Sequence, residues 1–421
     1  MIGFPNCSSV IPFARQRLRA PAILRPKVLS LLRSWFFMNS LLESRKNTTD
    51  RRTGATATTR HRHTLRVTLR RMNDTETPHG AQPVVPKGFW AQLRAPIRAL
   101  APMEDVTDSV FRRIVASCGR PDVFFTEFTH VAHIVGRKKK STAPRLVFTD
   151  EERPLVVQIW GRDPEQFFRA TLKVREMGFD GIDINMGCPV KKIKKTGACS
   201  ALIREPEHAV EIIHAVQEAA GETPVSVKTR IGFDRVVTED WIGALLRRKF
   251  AALTVHGRIA SQLSEGEADW AEIARAARIR DEVSPETLVI GNGDVMTARE
   301  IPARCRKYGI DGVMVGRAIF GDPFFFDTRG RSGRFSSAQP EEKLALLERH
   351  IALHREVWNG RRNYEVLKRF YKVYLTGFDD AAKLRDRLNR TFTYAEAEAV
   401  LAEYRSASGL GGDDRERDGK T

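Results

Sequence analysis

The 421-residue chain is short of several things. It has five cysteines, Cys7, Cys118, Cys188, Cys199 and Cys305, an odd count with no pair at C-x-x-C spacing. That argues against a disulfide framework and against a zinc site, and it fits a reducing, cytoplasmic compartment. No run of about 18 apolar residues occurs, so no transmembrane helix is expected. The phosphate loop G-x-x-x-x-G-K-[ST] is missing, as is G-x-G-x-x-G after a strand, which excludes both nucleotide-binding fingerprints. Acidic residues are scarce in the first 71 positions, with 2 Asp+Glu against 15 Lys+Arg. That arm holds +13 of the chain's net +18. The remaining +5 permits a polyanionic partner without requiring one.

The arm also lacks a sustained helical period, since Arg33 and Ser34 break its apolar run Leu31–Met38. It reads as a disordered basic arm, a targeting peptide, or a translation start placed too early. Met72, ahead of the polar Asn-Asp-Thr-Glu-Thr-Pro, favours the last. No fold is expected over residues 1–88.

What is present is regular from Phe89 onward. Strand ends are expected at Arg98–Met103, Val123–Phe128, Leu155–Gly161, Gly181–Gly187, Val225–Gly232, Leu253–Gly257, Leu288–Gly293 and Gly312–Gly316. Amphipathic helical stretches alternate with them. Thr107–Cys118 reads as a helix capped by Thr107, and others start at Pro164, near Glu205 and at Asp269. Eight such units over 89–328 predict an α/β fold, a (β/α)8 TIM barrel; a doubly wound open sheet would alternate in the same way, but the regular spacing and the count favour the barrel. Arg329–Ser337 reads as a Gly/Ser/Arg linker. Helical stretches at Pro340–Trp358, Tyr364–Leu375 and Tyr394–Tyr404 then predict a small C-terminal all-helical domain over 338–406, ahead of a polar tail from 407. Arg349, Arg355, Arg361, Arg362, Lys368, Arg369 and Lys372 would make it basic on one side, unless they are only a solvated face.

The stretch that organises the chain is Gly181–Pro189. Ile182, Ile184 and Met186 form a buried strand that ends on Asn185-Met186-Gly187-Cys188-Pro189, and Lys191, Lys192, Lys194 and Lys195 follow. A free cysteine is most often buried and inert. On a strand-end loop beside four cations it is where a reactive thiol or proton donor would sit. Cys199, flanked by Ala198 and Ala201, reads as packing.

A barrel works at the carboxyl ends of its strands. Read in order, these ends carry Pro102-Met103, Glu127, Gln158, Asn185 with Cys188, Lys228 with Arg230, His256 with Arg258, Asn292-Gly293-Asp294 and Gly316-Arg317. Each has a bland reading alone, as a cap, a packed imidazole or a solvated charge. Together they describe a site. The last two follow strands seven and eight, where glycine-freed N–H groups and a cation hold phosphate in such barrels. A phosphate-bearing cofactor follows, and Lys228 would set positive charge beside a reduced flavin ring.

With Ala101-Pro102-Met103, Asp183–Pro189, Val227–Arg230, Val255–Arg258, Ala268-Asp269-Trp270, Gly291–Asp294 and Val315–Ala318, the chain resembles the tRNA-dihydrouridine synthase family over about residues 95–400. The resemblance implies an FMN-binding barrel with a helical tRNA-binding domain. Pro102, Met103, Gln158, Lys228 and His256 would meet the flavin ring and ribityl chain. Asn292, Gly293, Asp294, Gly316 and Arg317 would hold the phosphate. Asn185 and Arg230 would serve the substrate uridine, with Lys191 and Lys192 facing tRNA phosphates. NADPH, or NADH, would reduce the flavin and leave; reduced FMN would give hydride to uracil C6, and Cys188 a proton to C5. A monomer with no metal and no membrane association is expected. One departure lies after His256, where Gln262 is followed by Leu263 and Ser264 instead of an aromatic residue. Rival readings are an FMN barrel acting on a free pyrimidine or an enone, and a tRNA binder that has lost catalysis.

Overall fold

The computed structural model describes residues 85–136 and 143–410. The readings made for 1–84 and for the tail beyond 410 lie outside these. Nine strands form one parallel sheet: β1 Ile97–Leu100, β2 Phe124–Phe125, β3 Thr129–His130, β4 Leu155–Trp160, β5 Gly181–Asn185, β6 Val225–Gly232, β7 Ala252–Ile259, β8 Leu288–Asn292 and β9 Gly312–Val315. The order runs β1-β9-β8-β7-β6-β5-β4-β2, and a parallel bridge between Ala99 and Val123 brings β2 back to β1. This is the expected (β/α)8 barrel, with helices on the strand-to-strand crossovers.

The second strand is split where one continuous strand was expected. Thr126 Oγ1 accepts from Gln158 N at 3.1 Å in place of a backbone carbonyl, and Glu127 turns away to accept from Asp105 N at 2.8 Å. The ladder resumes at Thr129. The first helix begins at Ser109, and its cap is Asp108, which accepts from Phe111 N at 2.9 Å. Thr107, expected in that role, accepts instead from Met103 N at 2.9 Å and so pins the strand end to the loop.

The end opposite the site is closed by Trp90, from the short turn Gly88–Gln92. It packs with Ile97, Ala251, Ala252, Ile290 and Met314, most of them near strand starts. Burying an indole there gives this end a dry apolar floor.

Helices at Pro340–Trp358, Ala381–Asn389 and Tyr394–Ala407 form the C-terminal part, with Tyr364–Phe370 in tight 3-10 turns before a short helix Tyr371–Tyr374. Ala381–Asn389 was not foreseen, because only Ala381, Leu384 and Leu388 mark its buried face. In Arg329–Ser337 most residues are exposed, Phe335 is buried, and Asp327 just before the segment accepts from Arg329 N and Arg331 N at 2.9 and 3.0 Å. Phe111 of the first barrel helix stacks on Phe370 at 5.0 Å. Among the described residues no helix is long and apolar enough to cross a membrane.

Candidate active site

The parallel register brings the strand-end residues level. Gln158 pairs in register with Asp183, Asn185 with Lys228, Arg230 with His256, and His256 with Asn292. Side chains on one pleat face repeat every second residue, so Asp183 and Asn185 point the same way, as do Ser226, Lys228 and Arg230.

The inward-facing groups are joined. Ser226 Oγ donates to Asp183 Oδ1 at 2.6 Å, and Gln158 Nε2 donates to Asp183 Oδ2 at 2.7 Å. Asn185 Nδ2 donates to Gln158 Oε1 at 2.9 Å. Asn185 Oδ1 then accepts from Gly187 N and Cys188 N, both at 3.0 Å. Buried polar side chains thus run from the barrel interior to the backbone of Cys188 without an unsatisfied member, which fixes that loop. Asp183 is the member the sequence reading left without a role. Its signal was there: a carboxylate two residues before Asn185, between Ile182 and Ile184. Burial pushes this carboxyl up to about 6.

Cys188 is partly exposed at the mouth. Its carbonyl accepts from Ser200 Oγ at 2.9 Å. Its thiol is held below its ordinary range, chiefly by a hydrogen bond with the Cys199 thiol; burial opposes this, while the Val190 N–H and the Arg230 charge reinforce it. Cys199 was expected only to pack. It is buried.

Arg230 Nε donates to Gly187 O at 2.7 Å, and Nη1 donates to Ile259 O and Leu263 O at 3.1 and 2.9 Å. The guanidinium therefore braces the Cys188 loop against the loop after β7, whose Leu263 is exposed. Lys228 Nζ donates to Asn292 Oδ1 at 3.2 Å, and Asn292 Nδ2 to Met314 O at 2.8 Å. Burial, with the charge of Arg230, pushes Lys228 down to about 8. Burial and the cations Arg230, Lys228, Arg258 and Arg317 hold His256 well below its usual value, so its ring is neutral at pH 7.

At the ends of β8 and β9, Asp294 takes both arginines. It accepts from Arg258 Nη2 at 2.6 Å, from Arg317 Nη2 at 2.7 Å and from Ala268 N at 2.7 Å. Burial works against its charge, but Arg258, the Ala268 N–H and Arg317 outweigh it and keep the carboxyl low. The carboxylate thus orients Arg317. Gly293 has φ 130, and a Cβ there would lie 2.5 Å from Ala268 Cβ and 3.3 Å from His256 Cδ2. Its carbonyl accepts from Trp270 Nε1 at 3.1 Å. Beside Gly316 a Cβ would approach only Ala101 and, at 3.9 Å, the Met103 sulfur. Pro102 and Met103 are half-buried at the end of β1. Two glycine-opened strand ends and an oriented arginine suit a phosphate; the cation of Lys228 beside the neutral ring of His256 suits an electron-rich ring.

Glu104, Asp105 and Glu127 gather three carboxylates within 4.8 Å of one another, the one group among the described residues that could hold a metal ion. Cations already answer them: Arg145 on Glu104, Arg362 on Glu127 and Asp105, and Arg369 on Asp105. Arg362 and Arg369 were expected on an outward basic face and instead turn toward the barrel. Arg355 pairs with Glu398, while Arg349, Arg361 and Lys372 remain exposed. Lys191 and Lys192 lie exposed on the short helix Lys191–Lys194. Lys194 instead lies 5.0 Å above the Phe233 ring.

The family model and the curated relatives agree with one another. A family model described as dihydrouridine synthase (Dus) matches residues 99–408. A probable tRNA-dihydrouridine synthase of Staphylococcus aureus (strain COL) is 41% identical over 321 residues, 76% of this chain and 96% of that one. Probable tRNA-dihydrouridine synthase 2 of Bacillus subtilis (strain 168) is 42% identical over 323 residues, 76% of this chain and 97% of that one. Among solved structures, morphinone reductase in complex with tetrahydroNAD superposes at a TM-score of 0.37 and 12% identity, over 54% of this chain and 84% of that one. The chain therefore belongs to the dihydrouridine synthase family of flavin-dependent oxidoreductases.

Proposed function

We propose that this protein reduces the C5=C6 bond of uridines in tRNA, with FMN as cofactor and NADPH as electron donor, and with Cys188 as the acid. The carrying observation is the side-chain path Ser226–Asp183–Gln158–Asn185, which ends on the Cys188 N–H. It sets one partly exposed thiol at the mouth of a barrel whose neighbouring strand end carries Lys228 and Arg230.

The strand-end residues suit the cofactor. Arg317, with the backbone at Asn292, Gly293, Asp294 and Gly316, would hold its phosphate; Pro102, Met103, Gln158, Lys228 and His256 would face its ring and ribityl chain. When bound, FMN supplies the hydride that uracil C6 receives. The neutral His256 can donate or accept a hydrogen bond there without adding charge. Lys228 places a positive charge where negative charge develops. Asn185 orients the base, which has left its stack to reach the mouth. Cys188 gives its proton to C5, and the electron pair of the broken S–H bond stays on sulfur beside Arg230. Exposed Lys191 and Lys192, with Arg349, Arg361 and Lys372 on the helices, would meet tRNA phosphates. A cytoplasmic location belongs to the same reading, since Cys188 must stay reduced, and the reading takes the protein as a monomer.

The test is dihydrouridine mapped by position in unmodified tRNA after incubation with the protein, FMN and NADPH, with Cys188→Ala in parallel. Dihydrouridine at defined sites, lost in the variant, is expected. A flavin-loaded wild type that forms none overturns the tRNA assignment in favour of a small-molecule reductase.

A further inference from the structure

A cavity of about 520 Å³ opens beside the Cys188 loop, between the turn Cys199–Arg204 and the loop after β6. Ile203, Pro206, Val237 and Trp241 give it apolar walls. It shares the carboxyl-end rim with the thiol. Ser200 Oγ donates to Cys188 O at 2.9 Å, and Arg204 lies about 8 Å farther along the 3-10 turn. Phe233 directly follows Gly232, the last residue of the strand that carries Lys228 and Arg230.

This rim holds a flat cation in a fixed place. The Arg204 guanidinium carbon lies 3.8 Å from the centre of the Phe233 ring. Arg204 Nη2 also donates to Asp234 Oδ2 at 2.6 Å. Its side chain is nevertheless 57% exposed, so one side of the plane rests on the ring and the other is open. The ring is held in turn, because its loop is closed and anchored. Val237 N donates to Ile231 O and Ser261 N to Phe233 O, both at 2.9 Å. A Cβ at Gly232 would run into Arg235 O, so glycine lets the chain turn that tightly.

An open guanidinium plane backed by an aromatic ring is a surface for a nucleobase, since unstacked bases lie on Arg planes and on aromatic faces. A phosphate fits less well. Asp234 already takes one edge of the guanidinium, and Asp240 on the cavity wall would repel an anion, whereas it can accept from a base N–H. Extraction of the target supplies such a base. A uridine drawn out of its stack leaves the next base in the strand with one bare face.

We propose that Arg204, stacked on Phe233, receives the base next to the target uridine and so holds the strand while the uridine occupies the mouth. This assignment rests on the reading of tRNA as the substrate. It makes Arg204 a binding residue with no part in the hydride or proton steps.

The test is the dissociation constant for unmodified tRNA, measured by filter binding at one fixed salt concentration with the flavin-loaded full-length protein. Wild type is compared with Arg204→Ala and Arg204→Lys. The Ala variant is expected to bind about tenfold more weakly. Lys keeps the charge and loses the plane, so it should lose nearly as much. A tRNA lacking the base on one side of the target uridine should bind wild type about tenfold more weakly, and wild type and the Ala variant should then bind it alike. Affinity of Arg204→Ala within about twofold of wild type overturns the proposal. So does full affinity in Arg204→Lys, which would mark a phosphate contact. A wild type that binds tRNA through Arg204 yet forms no dihydrouridine would overturn the function and leave this contact standing, so the two failures are distinguishable.

Discussion

Arg362, beyond the longest C-terminal helix, donates through Nη2 to Glu127 Oε1 at 3.0 Å, on a carboxylate with no solvent exposure at the end of the second barrel strand. The same guanidinium donates to Asp108 Oδ2 at 2.9 Å, which also takes the Trp358 indole N–H at 2.8 Å. Removing one partner of a buried pair leaves the other charge stranded. Arg362→Ala is therefore expected to destabilise the protein by about 3–5 kcal/mol, and adding Glu127→Gln to recover part of that loss. Thermal unfolding of the single and double variants measures it. A single variant within about 1 kcal/mol of wild type would show that water reaches Glu127.

Asp183 makes stability depend on pH in an unusual direction. Burial raises its carboxyl to about 6 from an ordinary 3.8. The folded state therefore holds a proton that the unfolded chain has released, and this contribution, complete below 3.8, is lost as pH rises through 6. The loss amounts to about 3 kcal/mol at most. Asp183→Asn should flatten the wild-type decline between pH 4 and 6, as read from denaturant midpoints. Parallel curves for the two proteins would contradict the assignment.

The buried histidines act with the opposite sign. Burial pushes His350 down to about 3 and His354 to about 4, and burial with four cations holds His256 well below its usual value. Each is neutral when folded and charged when unfolded below pH 6.5, so their contribution is present above that pH and lost as pH falls. Imidazole carbon shifts in labelled protein should show His256 and His350 uncharged down to pH 5.5. A titration near 6.5 at either ring would refute this.

Two glycines separate phosphate contact from backbone need. Gly293→Ala meets both a φ of 130 and the Ala268 methyl at 2.5 Å, so it should lose bound flavin and about 1–3 kcal/mol of stability. Gly316→Ala meets nothing nearer than 3.7 Å. It should keep its unfolding midpoint while losing flavin, read as absorbance of the purified protein. Full flavin retention in Gly316→Ala would move the phosphate away from this strand end.

Much of this was legible in the sequence because strand ends are punctuated. Val225–Gly232 and Pro340–Trp358 fall where the sequence put them, since a period of two closed by glycine and a period of 3.6 opened by proline each leave a local mark. Relations between distant residues leave none. That Asn185 reaches Cys188 through its own backbone turn is local; that Asp183 reaches Gln158 depends on the register of two strands. Arg362 and Arg369 looked like solvated charge because nothing in a helical stretch tells which acids, some 230–260 positions earlier, lie opposite.

The floor set by Trp90 fixes what can change in this enzyme. With an indole filling one end of the barrel, any ligand must enter and leave by the other, past Cys188, the lysine helix and the C-terminal helices. Substrate, electron donor and product then compete for one doorway and must take turns. Such traffic confines divergence in substrate choice to the loops around that doorway.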